Sequence, residues 1–254
     1  MSDWSPDQYE RFHAERAAPF FDLVSLLRAV PAPRVVDLGC GTGELTAHLH
    51  RATEARETLG LDSSAAMLER ADLDVPGLRF ERRDIAAFED LACWDIVASN
   101  AALQWVPDHA TLFSRLALAL APGGQLAVQV PANHDHPSHT LAHDLSGEEP
   151  FRGALSEPVP HSPVLPPEDY ALLLHALGFS EQHVRLQVYT HLLPGPEDVV
   201  EWVRGTKLTA FEKRLPAALW PAFLAAYRER LLDVLPPQRP HVYPFKRILL
   251  WGRR

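Results

Sequence analysis

The chain has 254 residues, 46% of them hydrophobic, which suits one sizeable core with a smaller appended lobe and leaves two full domains short of material. Its formal charge of -9 removes the surplus of Lys and Arg that a general binder of nucleic acid or of an anionic membrane requires, although a local basic pocket stays open. The two cysteines, Cys40 and Cys93, suggest neither a disulfide framework nor a structural zinc site, which is the usage expected of a cytoplasmic protein.

The start, MSDWSPDQYERFHAERAAPFF, is acidic where a signal peptide would be basic, and no later run has the length of a membrane span. Neither export nor anchoring is therefore expected. From residue 34 to about 130, short β-rich runs alternate with helical stretches, the pattern of a parallel sheet covered on both faces. Strands are predicted over 34–38, 57–61, 78–82, 94–99 and 125–130, with helices over 44–51, 64–71 and 108–120. Ser63 or Ser64 would cap the second helix and Asp108 the third, and the turn APGGQ would end that third helix before the fifth strand. Residues 131–167 are rich in Pro, His and Ser and read as loop with one helix around 138–145. A helix over 166–177 stops at Gly178, 183–192 alternates like a strand exposed on one face, 196–204 and 216–235 are helical, and 247–251 closes the chain as a strand. No internal repeat is visible. The helices in the insertions flanking the sixth strand are expected to form a lid over the ligand end of the sheet.

The stretch VVDLGCGTGELTAHL carries the ligand signal. In a parallel α/β sheet, ligands sit beyond the carboxyl ends of the strands, where the first strand, turn and helix are expected to offer free backbone N–H groups. Gly39, Gly41 and Gly43 occupy that turn as G-x-G-x-G after Asp37, without the G-x-G-x-x-G spacing that admits a dinucleotide pyrophosphate. Asp62, at the end of the next strand and about 20 residues on, stands where a carboxylate accepts hydrogen bonds from both hydroxyls of a ribose. A ribose without a pyrophosphate is the ligand these residues select. Cys40 reads as a small space-filler, since nothing near it in sequence would activate a thiol.

With VVDLGCGTG, LGLDSSAAM, RRDIAAF and the APGG turn, the sequence resembles the class I S-adenosylmethionine-dependent methyltransferases over about residues 34–130. The resemblance implies an α/β fold with a Rossmann-like, seven-stranded, mostly parallel sheet. The domain core would comprise about 20–130, 166–192 and 244–254, and a helical lid about 1–19, 131–165 and 193–243. It implies S-adenosylmethionine as cofactor and S-adenosylhomocysteine as product. The backbone of Gly39–Gly43, with Asp37 and Cys40, would hold the methionyl part, and Asp62 the ribose. Ser63 and Met67 would line the same site, Asp84 would take the adenine amino group, and Ile85 would pack on its ring.

DWSPDQYERFHAER, SNAALQWVPDH, VPANHDHPSHTL and VEWVRGTKL, spread over nearly the whole chain, look like the family of bacterial trans-aconitate 2-methyltransferases. That likeness would place Tyr9, Phe12 and Arg16 against the cofactor, with core packing the other role open to Tyr9 and Phe12. It would put Asn100 and Gln104–Trp105 at the methyl-transfer end and bring His139 to the acceptor. The implied partner is a small carboxylic acid, neither nucleic acid nor membrane, and the sequence leaves the oligomeric state open, a monomer being compatible with it.

A carboxylate oxygen is already ionised near neutral pH, so its methylation needs no strong base, and positioning without a catalytic nucleophile or base is the expected mechanism. Cations for a tricarboxylate are expected in the lid: Arg204 and Lys207 in WVRGTKL, and Lys246 and Arg247 in YPFKRILL. TKLTAF stands where the family has a glycine and then an arginine. That leaves two further readings open: an acceptor that is another small or carrier-bound carboxylate, and a cofactor-binding protein without turnover. Tyr189, Trp202 and Tyr243 are further pocket candidates. The run HDHPSHTLAH is interrupted by Pro137 and lacks a cysteine, so no metal site is expected from it.

Overall fold

The computed structural model describes residues 13–71, 74–155 and 157–254, with side chains from residue 17 onward. The chain divides into two compact units. The larger holds residues 13–132, 163–187 and 246–254, and the smaller holds 133–162 and 188–245 of the described residues.

The larger unit begins with helix α1 (His13–Val24) and continues with β1 (Arg34–Leu38), α2 (Glu44–Ala52), β2 (Glu57–Asp62), α3 (Ala65–Leu68), β3 (Leu78–Arg82), β4 (Trp94–Asn100), α4 (His109–Ala119) and β5 (Leu120–Pro131). It also holds α7 (Pro167–Ala176), while β6 (Glu181–Leu193) and β7 (His241–Arg253) each run across both units. The seven strands form one sheet in the order β3-β2-β1-β4-β5-β7-β6. β1 to β5 pair in parallel, and β7 lies antiparallel to β5. The order reverses direction between β1 and β4, and in open α/β sheets that reversal makes the crevice where ligands bind.

Burial explains why these runs are strands. Val35, Val36, Asp37 and Leu38 of β1 are all buried, as expected of a central strand covered on both faces. One face packs Val36, Leu38, Leu126 and Val128 with Phe113 and Leu116 of α4 and Tyr170 and Leu174 of α7. Phe20 of α1 packs with Val35, Leu49, Ile96 and Ala98. Gln125 on β5 is fully buried yet satisfied: its side chain takes Arg28 N–H at 2.8 Å and Trp251 Nε1 at 2.9 Å and donates to Arg28 O at 2.9 Å.

Both expected caps are present, Ser64 accepting from Met67 N at 3.4 Å and Asp108 from Thr111 N at 3.2 Å. The helix read as 64–71 is only the single turn Ala65–Leu68. The fifth strand starts earlier than expected, at Leu120. Trp94 pairs with Leu120 but Ile96 pairs with Gln125, so the APGG segment is an insertion bulged out of the ladder, with Gly123 at φ 76°.

In the smaller unit, α5 (Pro137–Ser146), α6 (Phe151–Ala154), α8 (Glu197–Arg204), α9 (Thr209–Glu212) and α10 (Trp220–Val234) surround their own core of Phe151, Trp202, Phe211, Phe223, Tyr227, Tyr243 and Phe245. Pro137 does not break the histidine run; it starts α5, where a missing N–H costs nothing, and His136 caps the helix by accepting Ser138 N–H at 3.1 Å. Lys246 and Arg247 are not among these helices, because β7 is longer than expected and carries both of them.

Phe113 is fully enclosed between α4, the sheet and Tyr170. Phe113→Ala is expected to lower the unfolding free energy by about 3–5 kcal/mol, read as a lower urea midpoint at an unchanged slope. A loss below about 1 kcal/mol would show that this face of the sheet is not rigidly packed.

Candidate functional site

All three glycines of the first turn adopt left-handed backbone, with φ of 81° at Gly39, 58° at Gly41 and 78° at Gly43. Space decides what each one does. A Cβ at Gly39 would lie 2.2 Å from Cβ of Ala102, and one at Gly43 would lie 2.5 Å from the Phe80 ring, so both positions exist for close packing. Among the described residues nothing lies within 4 Å of a Cβ at Gly41, so they leave that side of the turn open.

Four N–H groups of this turn, expected to be free, are already engaged. Gly39 and Cys40 both donate to Leu61 O, at 2.7 and 3.0 Å, and Gly43 donates to Cys40 O at 3.0 Å. Gly41 N–H goes to Asp62 Oδ2 at 2.9 Å. Strand β2, lying beside β1, thus takes the donors of Gly39, Cys40 and Gly41. A ligand beside Gly41 would find room and acceptors there.

Asp62 supplies the acceptors. Its Oδ2 is held by Gly41 and its Oδ1 by Ser64 N at 2.8 Å, and each carboxylate oxygen keeps acceptor capacity for a further donor. Ser63 beside it is exposed, Arg82 Nε donating to its carbonyl at 3.1 Å, and Met67 is buried in the turn that Ser64 caps. Asp84 is exposed and caps the 3-10 turn Ile85–Ala87 by accepting Ala86 N–H at 2.8 Å. Ile85 stands against the core, its Cδ1 3.7 Å from where a Gly39 Cβ would be. Glycine turn, Asp62 and the Asp84–Ile85 turn thus follow the ends of β1, β2 and β3.

Asp37 is buried and accepts from Thr46 Oγ1 at 2.6 Å, which ties β1 to α2. Burial raises its pKa to about 6 against the pull of that hydrogen bond. Cys40 is buried too, and burial next to Asp37 and Asp62 pushes its thiol up, consistent with a filler. At the end of β4, Asn100 keeps a buried Oδ1 without a hydrogen-bond partner. The next residue, Ala101, has φ 53°, a conformation disfavoured for any residue with a Cβ, and it brings Ala102 against Gly39. Gln104 donates to Ala101 O at 2.6 Å and leaves its buried Oε1 without a partner, while Trp105 is 53% exposed. Sequence reasoning missed Ala101 and also Gln129, opposite Asn100 on β5, whose buried Nε2 lacks a partner; neither carries a motif.

Tyr9, Phe12 and the side chain of Arg16 lie outside the described residues. The four expected cations are divided between the units, Arg204 and Lys207 in the smaller and Lys246 and Arg247 in the larger. Arg204 ends α8 with its side chain 45% exposed, 3.8 Å from Glu201, which is a solvated surface pair rather than a pocket cation. Arg247 is buried on β7 and donates to Gln129 Oε1 at 3.3 Å, while Lys246 next to it is half-buried. Lys207 and His139 belong to the smaller unit. Lys207 Nζ lies 2.7 Å from His143 Nε2, and burial lowers the pKa of Lys207 to about 8. His139 is buried, with Nδ1 3.0 Å from Ser138 Oγ, and burial reinforced by neighbouring bases lowers its pKa to about 3. Trp202 and Tyr243 are core residues of that unit. Among the described residues no three His, Cys, Asp or Glu side chains are placed to hold a metal ion, and no helix is long and apolar enough to cross a membrane.

The family model described as a methyltransferase domain matches residues 9–184. Trans-aconitate 2-methyltransferase of Deinococcus radiodurans is 46% identical over 99% of this chain and 98% of its own length. The protein of the same name from Methylobacterium nodulans is 40% identical over 100% and 99%. Among solved structures, an S-adenosylmethionine-dependent methyltransferase from Mesorhizobium loti aligns with a TM-score of 0.54 at 26% identity, covering 94% of this chain and 98% of that one.

The raised pKa of Asp37 makes a stability prediction. In the unfolded chain the carboxyl titrates near about 3.9, and in the folded protein near about 6. Between those values the native state holds the extra proton, so stability declines as pH rises through this window, and the full burial penalty is present at pH 7. Asp37→Asn keeps an acceptor for Thr46 and removes the charge. It should be more stable than the parent at pH 7 by about 2–3 kcal/mol, with the gap closing toward pH 4. A gap independent of pH in urea titrations would contradict the assignment.

Proposed function

The chain belongs to the methyltransferase-domain family and, within it, to the trans-aconitate 2-methyltransferases, and from that premise we propose that it transfers a methyl group from S-adenosylmethionine to one carboxylate of trans-aconitate. What carries the proposal is likeness along the whole chain, 46% over 99% of its length, to a protein of that name. The products are the monomethyl ester and S-adenosylhomocysteine. Cys40 and Cys93 are free thiols, which suits a cytoplasmic place.

The residues around the glycine turn fit the cofactor. Asp62, held by Gly41 and Ser64, presents its remaining lone pairs to the ribose diol. The open side of Gly41 admits the methionyl chain, with Asp37 and Cys40 beneath the turn. Asp84 takes the adenine amino group while Ile85, Ser63 and Met67 line the ring and ribose, and Asn100 offers a buried acceptor at the end of β4. We assign Tyr9 and Arg16 to the same site, and Gln104, Trp105, His139 and Lys207 to the acceptor, with Lys246 and Arg247 as further cation candidates.

The cofactor supplies a sulfonium-bound methyl group: the new O–CH3 bond forms as the S–CH3 bond breaks and its electron pair returns to sulfur. No proton is lost from the acceptor, because the carboxylate is ionised near neutral pH. The protein's task is to hold one carboxylate oxygen in line with the methyl group and to exclude water, alignment that contributes up to about 7–11 kcal/mol in favourable model systems. Cys40, kept protonated, does not compete as a nucleophile.

Methyl transfer from labelled S-adenosylmethionine to trans-aconitate, with cis-aconitate and citrate as comparison acceptors, tests the proposal. The expected label is released as methanol by base and depends on trans-aconitate. Binding of the cofactor with no transfer to any of the three would overturn the acceptor. Asp62→Ala is expected to weaken cofactor binding about 10- to 100-fold, the range for losing hydrogen bonds to a charged acceptor, and unchanged binding by calorimetry would remove Asp62 from the ribose site.

A further inference from the structure

The smaller unit contains a cluster of bases that the cofactor site does not use. Lys207, in the turn between α8 and α9, points its ammonium at His143 of α5, with Nζ 2.7 Å from Nε2. The His143 ring stacks on His161, centroids 4.3 Å apart and planes 22° apart, and meets Phe211 edge-on at 5.2 Å. Lys207 itself lies 5.8 Å above the Phe211 ring. One turn before His143 on α5, His139 is buried and is fixed through Ser138, whose Oγ also lies 3.1 Å from the Tyr243 hydroxyl.

The groups acting on one another here are all bases. His139 is affected by His134, His136, His143 and Lys207, and His143 by Lys207 and His161. Asp144, the next residue on α5, acts on Arg230 instead. Among the described residues Lys207 pairs with no carboxylate. A hydrogen bond between its ammonium and His143 Nε2 requires that ring nitrogen to be neutral, so the pair carries one positive charge rather than two. Half-buried cations are ordinarily matched by an anion, because burial without one penalises the charged form. Among the described residues this cluster holds bases and no carboxylate.

We propose that Lys207 and His143, backed by His139, form a carboxylate-binding subsite that takes up protons as its ligand binds. The proposal rests on the reading of the acceptor as a polycarboxylate and adds the residue that orients Lys207 and a coupling to pH. His143 is a positioning residue, accepting one ammonium proton and leaving the other two to face the ligand. A carboxylate against this group favours the protonated form of Lys207, so above pH 8, where part of the free population is neutral, binding draws a proton from solvent. The carboxylates of the ligand are fully ionised there and contribute nothing to the count.

Calorimetric titration of the S-adenosylhomocysteine complex with trans-aconitate and, separately, succinate, each at pH 8.5 in two buffers of different ionisation enthalpy, reads the protons taken up. The wild-type protein is expected to take up about 0.7 proton per ligand, following the titration of Lys207 near pH 8. Lys207→Arg, charged at every working pH, should abolish the uptake. Lys207→Met should weaken binding at least tenfold. His143→Leu should move the alkaline fall in affinity to lower pH, and His143→Gln, which restores an acceptor, should move it back; a purely structural role for His143 would not produce that pattern. Binding of trans-aconitate without proton uptake and unchanged in Lys207→Met overturns the subsite while the acceptor reading stands. Succinate binding with uptake, without binding of trans-aconitate, supports the subsite and overturns the acceptor reading. Binding of neither overturns both.

Discussion

The carboxylate of Asp62 is the tie on which the ligand end of the larger unit depends. It accepts Gly41 N–H through one oxygen and Ser64 N–H through the other, so a single side chain fixes the glycine turn to the end of β2. Charge-assisted bonds of this kind are stronger than neutral ones, and two of them leave the carboxylate little rotational freedom. The left-handed glycines make the tie possible. Gly39 lets Ala102 close against the turn and Gly43 admits Phe80, while Gly41 is left open. The strained backbone of Ala101 belongs to the same arrangement, since it delivers Ala102.

The two units have separate cores and different chemistry. The larger is an aliphatic and aromatic sandwich of sheet and helix, where polar residues such as Gln125 are buried only with their hydrogen bonds made. The smaller sets aromatic rings and histidines among its aliphatic residues, including the stacked pair His191–Trp202 and the Phe211–Phe223 pair. Aromatic side chains offer large buried area with few rotatable bonds, so a small unit gains a defined interior from them. Lys207 lies half-buried beside that interior, and burial lowers its pKa to about 8.

Much of this was legible in the sequence where the determining physics is local. Ser64 and Asp108 announce their helices because a cap needs only a side chain and the amides two or three residues on. The five parallel strands were visible as apolar runs between turn residues. What escaped was set across the chain. The amides of Gly39, Cys40 and Gly41 are satisfied by Leu61 O and Asp62, contributed by the neighbouring strand, so their donors could not be counted from the motif. Arg204 and Lys207 look equivalent in WVRGTKL, yet one ends a helix facing solvent and the other turns inward to a histidine 64 residues earlier. Pro137 reads as a breaker until its place at the first turn of α5 is seen.

The displaced titrations of the two units carry opposite signs, and that opposition matches the reaction. Asp37 is an acid pushed by burial toward its neutral form, and an approaching cation relieves it. Lys207 is a base pushed the same way, and an approaching anion relieves it. The proposed cofactor is a sulfonium cation and the proposed acceptor a polyanion, so each ligand restores the charged state that folding disfavours. The protein holds both groups at a cost to its own stability, which the proposed ligands would offset. Recognition by charge then needs no base to start the chemistry. The remaining selectivity is geometric, resting on which carboxylate oxygen the subsite leaves free to meet the methyl group.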